Sequence, residues 1–168
     1  NLISTLGKTN MKVNSNYKLT SENIIYDRER QYIASKSEAL IEDNENNYYK
    51  LKEKFTFDIF NEIIYSKRAI ILDKNDNKYI FDDIQINLKT NEIAGKEVRL
   101  EFEKSYFGNE NNNPLLKGRS AYSNDDKLNV YKAVFSTCNI EDKKCRGWEL
   151  RTKEFNHDKV EKIFEYKG

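Results

Sequence analysis

The chain is poor in the residues that usually punctuate or crosslink a small domain. Among 168 residues there are one Pro, six Gly, two Cys and one His. A single His beside two Cys offers too few ligands for a zinc site. No run of 18 apolar residues is present, which excludes a transmembrane helix. The net charge of +1 gives no global field that would attract nucleic acid or a membrane surface.

The residues that are abundant indicate one folded domain with a substantial core. Eleven Tyr and nine Phe, within an apolar fraction of 38 %, argue against a disordered chain, although 34 % of the residues are charged. Both signs of charge are interspersed, as expected for elements with one face in water. The chain begins at Asn1, without an initiator Met or a signal peptide, which indicates a processed or trimmed piece.

A short pattern recurs at intervals of about 30 residues. Tyr17-Lys18-Leu19, Tyr49-Lys50-Leu51 and Tyr79-Ile80-Phe81 open successive copies, at steps of 32 and 30 residues. A fixed period of this size predicts stacked supersecondary units, none of which can bury its apolar face alone. We expect one domain over 1–168 with repeat units over about 17–47, 48–78 and 79–103.

The pattern within each unit is that of strands. Val98 to Glu103 alternates apolar and charged residues, and Phe55, Phe57 and Ile59 alternate with polar neighbours. Period-two alternation predicts strands with one side inward. Polar turns of four to five residues favour antiparallel pairing. We therefore predict an all-β antiparallel fold, with a loop-rich insert over 106–126 and a Cys-containing segment with a last partial repeat over 128–168.

Alternation also predicts which side chains face inward. The inward-facing set is Leu40, Phe55, Phe57, Ile70, Leu72, Ile84, Ile86, Val98, Leu100 and Phe102. The first unit is ambiguous because Ile24-Ile25 and Tyr32-Ile33 present apolar groups on both faces. Terminal strands around 8–14 would leave backbone groups unpaired for a partner strand. The inward residues alone fit a lipid groove and an ordinary sandwich core equally well.

No constellation of catalytic residues is evident, so we predict no enzyme, no cofactor and no metal. His157 is the only His, and its place beside a turn indicates a strand residue rather than a catalytic base. The acidic pairs Asp82-Asp83 and Glu141-Asp142 fall at strand ends or turns. Cys138 and Cys145 are seven residues apart, which suits a local disulfide in an oxidising compartment, while two unrelated free thiols remain the alternative.

Two segments resemble a known family. Ser21 to Asp27 followed by Ile33 to Asp43 resembles the OstA-type (LptA-like) repeat of lipopolysaccharide transport proteins. Tyr131 to Cys138, then Cys145, then Trp148 to Glu154, is similar to the Cys-containing passage of the LptD family, which precedes an outer-membrane barrel. The resemblance covers about the whole chain, and the second passage is the more specific.

The resemblance implies a fold and a task. It implies a V-shaped β-taco, or open β-jellyroll, at the periplasmic face of the outer membrane, whose apolar groove passes lipid A acyl chains of lipopolysaccharide to the barrel. The implied partners are an LptA-like bridge protein that pairs edge to edge, LptE, and the barrel domain of the same protein. The alternatives are an LptA- or LptC-like bridge component, or a structural β-sandwich that binds protein.

The family bears on the cysteines as well. Some LptD proteins carry a Cys near the start of this domain, and residues 1–40 contain none. Against that background we favour a local Cys138–Cys145 disulfide, with a barrel partner outside this chain as the alternative.

Overall fold

The computed structural model describes residues 1–108, 113–137 and 148–168. The described residues form fifteen strands in one open antiparallel sheet, which confirms the all-β prediction. The strands are β1 Leu2–Ser4, β2 Lys8–Lys12, β3 Tyr17–Glu22, β4 Ile25–Asp27, β5 Tyr32–Ser35, β6 Ala39–Asp43, β7 Tyr48–Leu51, β8 Phe55–Asp58, β9 Ile63–Leu72, β10 Lys78–Asn87, β11 Glu92–Glu101, β12 Leu115–Ser123, β13 Lys127–Ser136, β14 Glu149–Asp158 and β15 Ile163–Lys167. A 3₁₀ turn, Lys104–Phe107, follows β11.

Each long strand bends once near its middle. In β9, Lys67 and Arg68 are both exposed, whereas strict alternation would bury one of the two. The pairing of β9 with β10 keeps the same register on both sides of this point, so no residue is inserted. The bend recurs in each strand from β9 to β14, at six charged, exposed residues that lie opposite one another across the sheet: Arg68, Asp82, Glu97, Arg119, Lys132 and Lys153.

We call this row of six residues the bend line. Arg68, Glu97 and Lys132 have φ values of 48°, 49° and 50°. A positive φ is unfavourable for an L-residue, and at the bend line it occurs in β9, β11 and β13, whereas Asp82, Arg119 and Lys153 make the same change of inward side without it. The side chains at the bend line remain in water.

The bend line divides the sheet into two half-sheets that face each other. Half-sheet A contains β2, β3, β6 and β7, followed by the portions of β9–β14 that pair with them in sequence, beginning at 69–72. Half-sheet B contains β1, β4, β5 and β8, followed by the other portions of β9–β14, beginning at 63–66, and β15. The two inner faces share one hydrophobic core.

In the first units the bend is a break rather than a curve. The strands β7 and β8 are separated by 52–54, yet both pair with β9, one on each side of its bend. The pairs β3 with β4 and β5 with β6 are divided in the same way. The repeat of about 30 residues is therefore a repeat of bent strands, whose first members are interrupted at the bend.

Two glycines sit where the core leaves no space for a side chain. A Cβ at Gly95 would lie 2.3 Å from Phe81 Cδ1 and 2.8 Å from the carbonyl oxygen of Asp83. A Cβ at Gly118 would lie 2.1 Å from Val130 Cγ1. Both glycines flank the bend line, and their missing side chains let neighbouring core residues pack across it.

The prediction of a loop-rich insert over 106–126 is wrong for 115–123, which form β12. Gly118, Ser120 and Ser123 indicated a loop in the sequence. In the structure Gly118 faces Val130, while Ser123 and the apolar Leu116 and Ala121 are buried. Small residues are required here because β12 crosses the bend line with its inner side against the core.

Candidate functional site

The interior between the half-sheets contains most of the residues predicted to face inward. Seven of the ten lie in the core with 6 % exposure or less: Phe55, Phe57, Ile84, Ile86, Val98, Leu100 and Phe102. They come from β8, β10 and β11 and from the residue that follows β11, and β9, which lies between β8 and β10, contributes the buried Ile64. The apolar interior therefore runs continuously across the strands, perpendicular to their direction.

The inward prediction is wrong for Leu40, Ile70 and Leu72. Ala39 and Ile41 are buried on either side of Leu40 in β6, and Ala69 and Ile71 are the buried residues in the second part of β9. Leu72 is 38 % exposed. Both segments are apolar at consecutive positions, so their sequence does not specify the inward side. The bend at Lys67 and Arg68 then sets it.

Other interior residues were missed by the sequence reasoning. The additional fully buried large side chains are Leu19, Ile41, Leu51, Ile64, Phe81, Leu116, Leu128 and Phe155. Leu128 and Val130 alternate with Lys127 and Asn129, a signal that was present in the sequence. Phe81 could not be assigned by parity, because Tyr79 and Phe81 face inward before the bend and Ile84 and Ile86 after it.

Opposite the bend line, the tips of the two half-sheets meet; we call this margin the mouth. Three side-chain hydrogen bonds cross it between described residues. Tyr17 Oη donates to Asn91 Oδ1, and Asn14 Nδ2 donates to Glu62 Oε2 over 3.0 Å. Tyr106 Oη and His157 Nε2 are 3.1 Å apart. The mouth is thus closed by polar side chains and by no described strand.

The turns of successive repeat units hold tyrosine side chains at the mouth. In the turn after β6, Asp43 accepts from the backbone N–H groups of Glu45 and Asn47, and Tyr49 Oη donates to Asp43 Oδ2 over 3.3 Å. The turn after β9 repeats this with Asp73, and Tyr79 Oη donates to Asp73 Oδ2 over 3.1 Å. Burial raises the pKa of Tyr17, Tyr49 and Tyr79 well above the usual tyrosine value, so all three hydroxyls remain protonated.

A polar cavity of about 540 Å³ lies at the mouth. Its lining includes the five carboxylates Asp43, Glu45, Asp73, Asp125 and Asp126 and the two lysines Lys74 and Lys159. Lys74 Nζ is 2.8 Å from Glu45 Oε2. Lys159 Nζ donates to Ser123 Oγ and to the carbonyl oxygen of Asn124, and burial lowers its pKa. The mouth therefore presents net negative charge above an apolar interior.

An aromatic cluster closes the interior near the C-terminal strands. Phe102, Tyr106 and Phe107 from half-sheet A and its 3₁₀ turn contact Phe164 and His157 from half-sheet B. His157 is 2 % exposed and stacks on Phe164 with ring centroids 4.5 Å apart. Its Nδ1 is buried without a hydrogen-bond partner. Burial, with a contribution from Lys159, lowers the pKa of His157 to about 4, so the imidazole is neutral at pH 7.

Two edges of the sheet are uncovered among the described strands. At the N-terminal edge β1 pairs only with β4, and β2 pairs only with β3. This agrees with the unpaired terminal strand expected around 8–14. At the other edge β15 pairs only with β14. Each edge presents backbone groups that another strand could pair with.

Cys138 and Cys145 lie outside the described residues, so their pairing stays a prediction. Among the described residues, no group of three or more His, Cys, Asp or Glu side chains is arranged to hold a metal ion. No helix in the described ranges is long and apolar enough to cross a membrane.

In comparisons with known proteins, no family model matches the chain, and no curated protein matches it.

Proposed function

We propose that this chain is the periplasmic domain of an LptD-type protein of lipopolysaccharide assembly, and that lipid A acyl chains pass between its half-sheets. The observation that carries the proposal is the continuous apolar interior, which is held by bent strands on one side and by side-chain hydrogen bonds on the other. The resemblance of 21–43 and of the passage around Cys138 to this family supports the same function.

The energetics suit a groove that opens along the mouth. The interior side chains fill the space between the half-sheets, since Leu19, Phe57 and Leu100 are 0 % exposed. An acyl chain therefore enters only when the half-sheets separate. Separation costs the three hydrogen bonds, about 3 kcal/mol at roughly 1 kcal/mol each, and the apolar contacts between the inner faces, which a bound acyl chain has to replace. Withdrawing a chain of about twelve methylenes from water gains about 10 kcal/mol at roughly 0.8 kcal/mol each.

Because the lining is apolar and lacks directional contacts, a bound chain can slide along it. The uncovered edges give the path its two ends. In this proposal an LptA-like bridge protein pairs with β1 or β2, while the β15 edge faces the barrel and LptE. Strand addition of this kind extends the apolar interior from one protein to the next.

The packed interior also favours a second candidate, a β-sandwich module that binds protein through its edges and holds no lipid. Here the residues of the core would serve only the fold. An LptA- or LptC-like bridge component is a variant of the first candidate, with the same interior and a protein partner at both edges.

Photo-crosslinking distinguishes lipid passage from protein binding. A photoreactive residue in place of Phe57 or Ile86, both inward-facing, is expected to capture lipopolysaccharide in cells. The matched controls are outward-facing neighbours: Asp58, which follows Phe57 in β8, and Gln85, which precedes Ile86 in β10. A photoreactive residue at either control position is expected to capture no lipopolysaccharide. Lipid capture only at the outward positions would overturn the groove, and protein capture at β1 or β15 alone would favour the β-sandwich module.

A further inference from the structure

The outer face of half-sheet B carries a trough that the proposed function does not use. It has a volume of about 700 Å³ and crosses β9, β10 and β11 near the bend line. One wall is formed by Tyr65, Gln85 and Ala94, and the other by Lys67, Asp83 and Lys96. The members of each wall are cross-strand neighbours, so the trough runs perpendicular to the strands. We call this the outer trough.

The outer trough has an apolar floor and an extended shape. Its floor is the backbone at Ser66, Ile84 and Gly95. The residues before and after each of these along the strand point outward and form the two walls. Ser120 and Ala121 continue it onto β12, and Thr56 continues it onto β8. Strands are spaced about 4.8 Å apart, which gives the five strands a span of about 19 Å. Its volume lies within the roughly 300–1,000 Å³ of small-molecule sites.

The charges around the outer trough favour an anion. Lys54, Lys67 and Lys96 line it, and Asp83 is the only acidic residue in its lining. None of the three lysines takes part in an ion pair within the described ranges. Two of them, Lys67 and Lys96, flank Asp83 in register and leave an excess of positive charge. Lysines bind phosphate and carboxylate as point charges, and their aliphatic stems extend an apolar wall.

We propose that the outer trough binds a single-chain anionic amphiphile. The apolar chain lies across the strands on the floor, against the ring of Tyr65, which is 48 % exposed. The phosphate or carboxylate lies among Lys54, Lys67 and Lys96. Charge complementarity selects this occupant over a neutral chain, and the length of the trough selects an extended chain over a compact anion.

Titration of the full chain with dodecyl phosphate, below its micelle concentration, tests the proposal by amide chemical-shift changes. Changes are expected at 65–67, 83–85 and 94–96. Inorganic phosphate alone and a neutral dodecyl glycoside are each expected to bind at least tenfold more weakly. Equal binding of either one would overturn the assignment, because the headgroup or the chain would then be irrelevant.

Variants localise the site. The double variant K67E/K96E is expected to weaken binding at least tenfold. Ala94→Trp fills the outer trough and is expected to abolish binding, whereas Thr20→Trp, on the outward side of β3 in half-sheet A, leaves it unchanged. Unchanged binding by both trough variants would overturn the proposal, as would the same shift changes on raising the protein concentration alone, which would indicate a second copy as the occupant.

Binding at the outer trough can be distinguished from acyl-chain binding between the half-sheets. Shift changes at Phe57 and Ile86 that persist in K67E/K96E report acyl chains between the half-sheets and bear on the proposed function. Changes confined to the interior, with none at 65–67 or 94–96, would overturn the outer trough and leave the interior groove standing.

Discussion

The bend line and the mouth are the two long margins of the same fold, and they are closed by different physics. At the bend line the strands β9–β14 run from one half-sheet into the other, and their outward residues are charged. At the mouth the half-sheets meet through side chains, with three hydrogen bonds crossing between described residues. Separating the half-sheets at the bend line requires unfolding of strands, whereas separation at the mouth breaks no strand pairing but requires loss of the side-chain hydrogen bonds across it and of the apolar contacts between the inner faces.

The difference gives the fold a direction in which it can open. In the proposed opening, backbone continuity makes the bend line the hinge, and its charged residues lose no burial when the angle changes because they are already in water. The mouth combines three buried tyrosines, a cavity with five carboxylates in its lining and one buried neutral His. We therefore expect mutations at the bend line to affect global stability and mutations at the mouth to affect opening.

The largest effect is expected at the bend line from Gly95→Val. The new Cβ would lie 2.3 Å from Phe81 Cδ1 and 2.8 Å from the backbone oxygen of Asp83, which cannot shift without disturbing β10. Overpacking of this kind costs about 3 kcal/mol. Urea unfolding measures it, with the exposed neighbouring Ala94→Val as a control expected to change stability by less than about 0.5 kcal/mol. Equal effects of the two would show that the bend line is not packed as described.

The second effect is a pH dependence that originates at the mouth. The pKa of His157 is lowered to about 4 by burial, below the value of about 6.5 in an unfolded chain. The free energy of unfolding is therefore unaffected by His157 above pH 6.5. It decreases as the pH falls from 6.5 towards 4, because His157 binds a proton in the unfolded chain but stays neutral in the folded one. Between pH 7 and 4 the loss is about 3 kcal/mol at 1.36 kcal/mol per pKa unit.

The matched variant for this prediction is His157→Gln, which keeps a polar side chain beside Tyr106 but cannot titrate. Carboxylates such as Asp58 and Asp158, whose pKa values are lowered by hydrogen bonds from the backbone, contribute to acid unfolding in both proteins. The difference in unfolding free energy between the two proteins is therefore expected to shrink as the pH falls. A difference that stays constant from pH 7 to 4 would show that His157 is not a buried neutral group.

The smallest effect is expected from Tyr17→Phe, which removes the hydrogen bond to Asn91 across the mouth. The expected loss is about 1 kcal/mol, since Tyr17 is buried and Asn91 can turn to water. Tyr48→Phe, at an exposed position in β7, is the control and should be neutral. Hydrogen exchange is expected to accelerate at β3 and the turn over 87–92 but not at the bend line. Uniform acceleration would indicate that the half-sheets do not open separately.

The sequence predicted the class of fold because period-two alternation and short polar turns act locally. Val98, Leu100 and Phe102 lie where their alternation indicated, and Phe55 and Phe57 do so as well. The assignment failed at Leu40, Ile70 and Leu72, where the flanking positions are also apolar and the pattern carries no parity. It also failed at β12, where small residues selected by the packing of neighbouring strands looked like a loop.

The mouth was beyond sequence reasoning for a different reason. Asn14 and Glu62 are 48 residues apart, Tyr106 and His157 are 51 apart, and Tyr17 and Asn91 are 74 apart. Without side-chain periodicity to link them, only the folding of one sheet upon itself brings these pairs together. The tyrosines that open the repeat units were visible in the sequence, but their role at the mouth was not.

By itself the sequence determined strands, antiparallel pairing, a repeat of about 30 residues and much of the inward side, because these depend on the order of neighbouring residues. The tertiary structure decided where each strand bends, which side faces inward beyond the bend and which distant side chains close the mouth. The physical reason is that a bend reverses the inward parity without altering the register, so local alternation holds only up to the bend line and global packing determines the rest.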